Sequence, residues 1–125
     1  MTSETVHATL RQNVEKASLD SWPLAPEQVI EGDPQASGTV LWKSDDSKLA
    51  NGIWECTPGS FNWVHADETA CLVKGRATVT PEGGEPIEIA AGDVVFFPEG
   101  TKTRWEIQET VRKAFHLHAA EGLPF

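Results

Sequence analysis

Glu68 is the residue in this sequence best placed to do chemistry. It opens the run Glu68-Thr69-Ala70-Cys71-Leu72, whose alternation puts positions 68, 70 and 72 on one side of a strand. If that side faces an interior, the carboxyl must find a cation or keep its proton, because desolvation raises its pKa and an unpaired buried charge is costly. Lys113, Arg112 and Arg104 are candidate cations. Alternation leaves open which residues of the last strand face inward, and we favour Lys113. The same alternation sends Thr103, Trp105 and Ile107 inward, so the pocket should be mainly apolar, with Trp63 and Trp105 as flat walls. Such a cavity suits a small polar metabolite carrying an amine, amide or carboxylate. Glu68 would then act as a general acid or base in an enzyme, or hold the ligand in a binding module.

His65 lies three residues before Glu68, and His116 and His118 share one face of the last strand. Together with Glu68 they could form an unusual metal site. The simpler expectation places His65 in a turn with Asp67 and leaves His116 and His118 in solvent or hydrogen-bonded. Cys56 and Cys71 cannot hold zinc alone and are expected to be two reduced core thiols. Trp42 and Trp54 are expected to pack in the core.

The elements that must position these groups are short. From Thr39 onward the sequence divides into nine β-like runs separated by turn residues: TVLW, GIWECT, FNWV, TACLVK, RATVT, PIEIA, VVFF, TRWEIQ and VRKAFHLH. Many short strands without a long helix predict an all-β sandwich or barrel. Pro81 to Pro86, with Gly83-Gly84, reads as a hairpin loop. Val94-Val95-Phe96-Phe97 is apolar on both faces, so it should be covered twice, by the interior and by a second sheet or a partner chain; a homodimer follows as the expected assembly. Upstream, Val6, Leu10, Val14 and Ala17 recur at helical spacing before Trp22-Pro23, and residues 24–37 read as an extended connection. The expected division is an N-terminal arm and connection over 1–36 and a barrel over 37–125.

The chain of 125 residues is long enough for one core. Its formal charge of −9, from ten basic and nineteen acidic residues, repels nucleic-acid phosphates and anionic lipid. No apolar stretch is long enough to span a bilayer, and the first residues lack the order of a secretory signal, so the expected setting is the cytoplasm with no membrane partner. No dinucleotide or phosphate-loop fingerprint is present, and the reading carries no cofactor.

Two spacings carry a family resemblance. Glu68 is followed after six residues by Gly75, and Gly92-Asp93 leads through Val94 to Phe97 into Pro98-Glu99-Gly100. This Glu-x6-Gly and Gly-Asp-x4-Pro-x-Gly order resembles the two motifs of the cupin superfamily. With Gly52 to Gly59, Glu68-Thr69, Trp105-Glu106 and Val111 to Lys113, residues 36–118 look like the small single-domain cupins grouped with ureidoglycine aminohydrolase and an ethanolamine-utilisation protein. The resemblance implies a double-stranded β-helix, the cupin jelly-roll barrel. In metal-binding cupins a His-x-His pair precedes the glutamate and another histidine follows the Pro-x-Gly turn. Here one spacing puts Asn62 and Val64 at the paired positions, the other puts Phe61 and Trp63 there, and Thr103 takes the late one. One carboxylate is too few donors for a transition metal. The site expected is therefore metal-free: Glu68 with Phe61, Asn62, Trp63, Thr103, Trp105 and Lys113 around a small-molecule ligand. The resemblance also implies an alternative, a metal-dependent hydrolase or aminohydrolase of ureidoglycine type. A third reading is a dimeric structural or regulatory protein with a collapsed cavity.

Overall fold

A computed structural model of the chain describes residues 8–125. Its strands are β1 (Asp20–Ser21), β2 (Val29–Gly32), β3 (Ala36–Lys43), β4 (Leu49–Cys56), β5 (Gly59–Val64), β6 (Asp67–Pro81), β7 (Ile87–Ala90), β8 (Val94–Phe97) and β9 (Lys102–His118), with one 3-10 turn at Pro26–Gln28. The expected all-β fold is present. Its strands divide differently from the sequence reading, because TACLVK and RATVT join into β6, and TRWEIQ and VRKAFHLH join into β9.

The joining has a structural reason. β6 and β9 run antiparallel from Asp67 opposite His118 to Pro81 opposite Thr103, so they are shared by both halves of a curled sheet. One half has the order β1, β3, β4, the C-terminal part of β9, the N-terminal part of β6, then β8. The other has β2, β5, the N-terminal part of β9, the C-terminal part of β6, then β7. The register shifts between Leu72 and Ala77 make the corner where the sheet folds over.

Gly75 stands in that corner with φ of 84°, and a Cβ built there would collide with the Thr110 carbonyl oxygen. Gly75→Ala should therefore cost about 2 kcal/mol or more, combining left-handed strain with displaced backbone. A urea melt checks this; a variant as stable as the parent would mean that the corner relaxes freely.

Strands appear earlier than expected. β1 pairs with β3 and β2 with β5, so pairing begins upstream of residue 37. Trp22 lies flat against Gly38, where any side chain would strike the indole. The helix suggested for the arm is absent from residues 8–19; Val6, part of that pattern, lies outside the described residues. Asn13 Oδ1 instead accepts from the Glu15 and Lys16 amides, closing a single turn. Arg112 then holds the arm by donating to the Val14 and Ala17 carbonyls at 2.6 and 2.5 Å.

The main apolar cluster contains Cys56, Phe61, Leu72, Val79, Trp105 and Val111, and a smaller one joins Ala50, Ala119 and Leu123. Cys56 is a core thiol, with burial raising its pKa to about 12. Cys71 corrects the expectation: it is exposed, because alternation on β6 turns it to the face opposite Glu68, Ala70 and Leu72. Val94 and Phe96 on β8 are 70% and 59% exposed, so nothing among the described residues covers the outer face of that strand.

Candidate functional site

Alternation on β6 and β9 assembles the site. Glu68, Ala70 and Leu72 point inward from β6, and Val111, Lys113 and Phe115 point inward from β9. Lys113 is therefore the cation that reaches Glu68, with Nζ donating to Oε2 at 2.7 Å. Arg112 faces the opposite side, and Arg104 is exposed beside Glu106. The Lys113 ammonium also lies over the Trp54 and Trp105 rings, 4.6 and 4.9 Å from their centroids. Those indole faces attract the cation and shield it from water.

His65 belongs to this cluster, against expectation. It follows β5 and is 3% exposed, stacked on Phe97 with centroids 3.9 Å apart. Its Nδ1 is 3.0 Å from Glu68 Oε1, and its Nε2 is 2.9 Å from Thr103 Oγ1. The loop that carries it is fixed by two backbone bonds, from the His65 amide to the Thr101 carbonyl and from the Gly100 amide to the His65 carbonyl. Those bonds turn the ring inward, which no local sequence signal announces.

Burial alone would push the Glu68 carboxyl up, but attraction to Lys113 and the bond from His65 overcome it and hold the group down near about 2. Glu68 is thus ionised. His65 moves below its ordinary 6.5, because burial of the imidazolium outweighs the help from Glu68. Neutral His65 places its proton on Nδ1, toward the carboxylate, so Nε2 accepts from the Thr103 hydroxyl. Thr103 Oγ1 also lies 3.1 Å from the Trp63 carbonyl, and its one proton can serve only one acceptor. Protonation of His65 would turn the Thr103 proton onto Trp63.

Both shifts have the same consequence for stability. A depressed folded-state pKa contributes stability that is complete above the unfolded value and is lost as pH falls toward the folded value. Stability should therefore decline on acidification, first below 6.5 as His65 must charge and again from 4.5 toward about 2 as Glu68 must discharge. Urea midpoints between pH 8 and pH 3 measure this; a flat profile down to pH 4 would contradict it.

Beside the cluster is a cavity of about 460 Å³. Phe61, Trp63, Trp105, Glu68 and Lys113 all line it. Thr103 does not; it stands behind His65 and fixes that ring. Asn62 is corrected outright. It is exposed on β5 and paired in register with Arg104, because alternation turns it away from its neighbours Phe61 and Trp63. The sequence reading missed Trp22, Phe115, Leu117 and Phe125 as wall residues, and it placed Trp54 in the core rather than the wall. Trp22 and Phe125 arrive from segments distant in sequence, with ring centroids 5.9 Å apart.

The donors do not suit a transition metal bound at Glu68. Both carboxylate oxygens and both His65 nitrogens are already engaged, and an ammonium stands 2.7 Å from the carboxylate. His116 and His118 are exposed and do not join Glu68; His118 pairs with Asp67 at 3.2 Å. Among the described residues, the group with three ligand types close together is Asp67, Glu99 and His118, and it excludes Glu68.

The model of the EutQ-like cupin domain matches residues 43–115. The chain belongs to this cupin family. Among solved structures, it is similar to a DUF861-family protein of unknown function from Pseudomonas syringae, at 29% identity over 81% of this chain and 44% of that one, with a TM-score of 0.73. The cupin chain thus spans less than half the length of that relative. A putative ethanolamine utilization protein Q from Salmonella typhimurium is 28% identical over 69% of this chain and 71% of that one, with a TM-score of 0.60. A DUF861-family protein from Thermotoga maritima is 39% identical over 52% of this chain and 75% of that one, with a TM-score of 0.51. No curated protein matches. These likenesses make the curled sheet a cupin jelly-roll barrel and show a cupin of the EutQ and DUF861 type. Among the described residues, no helix is long and apolar enough to cross a membrane.

Proposed function

We propose that this cupin binds a small molecule in its aromatic cavity and holds the ligand's polar end at Lys113 and Glu68, without a metal at that site. The observation that carries the reading is the placement of a buried ion pair in the wall of a cavity otherwise lined mostly by rings and aliphatic groups. A carboxylate stabilised this far below neutrality is a poor general base and is no general acid at pH 7. Glu68 therefore serves best to hold Lys113 in position, which favours a binding module over acid-base catalysis. The open cavity also speaks against a purely structural role. The setting proposed is cytoplasmic, which the two free thiols favour.

A thermal-shift screen of ureido acids, amino alcohols and small carboxylates tests the reading. A true ligand at one hundred times its Kd adds about 2.7 kcal/mol, which for a domain of this size raises Tm by roughly 10 °C. Glu68→Gln should still melt cooperatively, and its shift with the same compound should shrink to a fraction of that. A shift unchanged by Glu68→Gln would remove this residue from the site.

A homodimer is the assembly proposed. The outer face of β8 presents Val94 and Phe96, and that strand pairs only with β6, leaving one edge open among the described residues. Phe96→Asp should leave the fold intact and shift the protein from dimer to monomer in light scattering. A parent protein that is monomeric at high micromolar concentration would contradict the proposal.

A further inference from the structure

We propose that the ligand is a flat organic acid whose carboxylate is received by Lys113, and not an amine. This rests on the cavity being the ligand site and deepens that reading. Of the described residues lining the cavity, only Ser21, His65, Glu68 and Lys113 have polar side chains apart from the indoles. The hydrogen-bonding capacity of the buried three is unequally used. His65 has both nitrogens engaged, and each Glu68 oxygen already receives a donor. Lys113 carries three N–H groups and gives one to Glu68. Among the described residues the ammonium has no second hydrogen-bond acceptor and otherwise lies over the faces of Trp54 and Trp105.

The unspent capacity at the polar end is thus a charged donor, and a charge-assisted bond to a carboxylate is stronger than the contact with an indole face. A ligand amine would have to approach Glu68 with the Lys113 ammonium 2.7 Å from the same carboxylate, where like charges repel in a site of low polarity. The rest of the ligand faces Trp54, Trp63 and Trp105, which favour a flat, apolar body. Ethanolamine, after which the Salmonella relative is called, supplies an ammonium and no such body.

Isothermal titration of the full chain with 2-naphthoate, 2-naphthamide and 2-naphthylmethylamine separates the alternatives, since the three share a body and differ in the polar end. The acid should bind at least tenfold more tightly than the amide, with the amine weakest. Glu68→Gln/Lys113→Met, which removes both charges together, should abolish the tenfold preference, so that acid and amide bind to this variant with equal affinity. Lys113→Arg, which keeps the charge, should retain the preference and covers the case in which the double variant does not fold. An amine that binds as tightly as the acid would overturn the inference while leaving the cavity as a ligand site. Failure of all three to bind would also overturn it, and the Glu68→Gln screen would then decide separately whether the cavity takes any ligand.

Discussion

Lys113→Met is expected to lose about 3–5 kcal/mol of folding stability, because it removes the cation and leaves the Glu68 charge buried with His65 as its remaining partner. Both side chains are close to fully buried, so water reaches the stranded carboxylate only from the cavity side and replaces the ammonium poorly. Glu68→Gln/Lys113→Met should recover most of the loss, since it removes both charges while nearly conserving volume. Urea denaturation of the parent, both single variants and the double variant measures the coupling. If the double variant were as unstable as Lys113→Met, packing of the lysine stem rather than the stranded charge would account for the loss.

Trp105→Ala is the second large effect, at about 3–5 kcal/mol, from lost apolar burial and the cavity left behind. Trp105 is 1% exposed and stacks parallel to Phe61, with centroids 6.0 Å apart. Trp54 also lies against Lys113 but is only partly buried. Trp54→Ala should therefore cost much less stability and act mainly on ligand affinity. Denaturation and binding measured on the two variants separate a core indole from a wall indole; equal stability losses would contradict that distinction.

The fold was legible because its signals are local. Period-two alternation around Glu68 and Trp105 set which side of each strand is buried, and the two glycine-bearing spacings matched those of cupins. The continuity of β6 and β9 was not legible. Gly75 looks like a terminator in one dimension, yet it acts as a corner because two long strands remain paired around it.

For the site, alternation pointed Glu68 and Trp105 inward and left the cation open among Lys113, Arg112 and Arg104; Phe61 and Trp63 came from the family's paired positions, and extending those to Asn62 ignored that its neighbours take the inward face. His65 escaped because its direction is fixed by loop bonds to Thr101 and Gly100 rather than by strand period. Trp22 and Phe125 reach the wall through long-range packing, which spacing cannot express.

The arrangement depends on one substitution of roles: an ammonium at position 113 takes the place beside Glu68 that a metal ion would need. Elemental analysis of protein purified without a histidine tag tests this most directly. The expected result is less than about one-tenth of an equivalent of Mn, Fe, Ni or Zn per chain, because the donors around Glu68 are already engaged. Close to one equivalent, lost in Glu68→Gln, would show that the carboxylate holds an ion instead of Lys113.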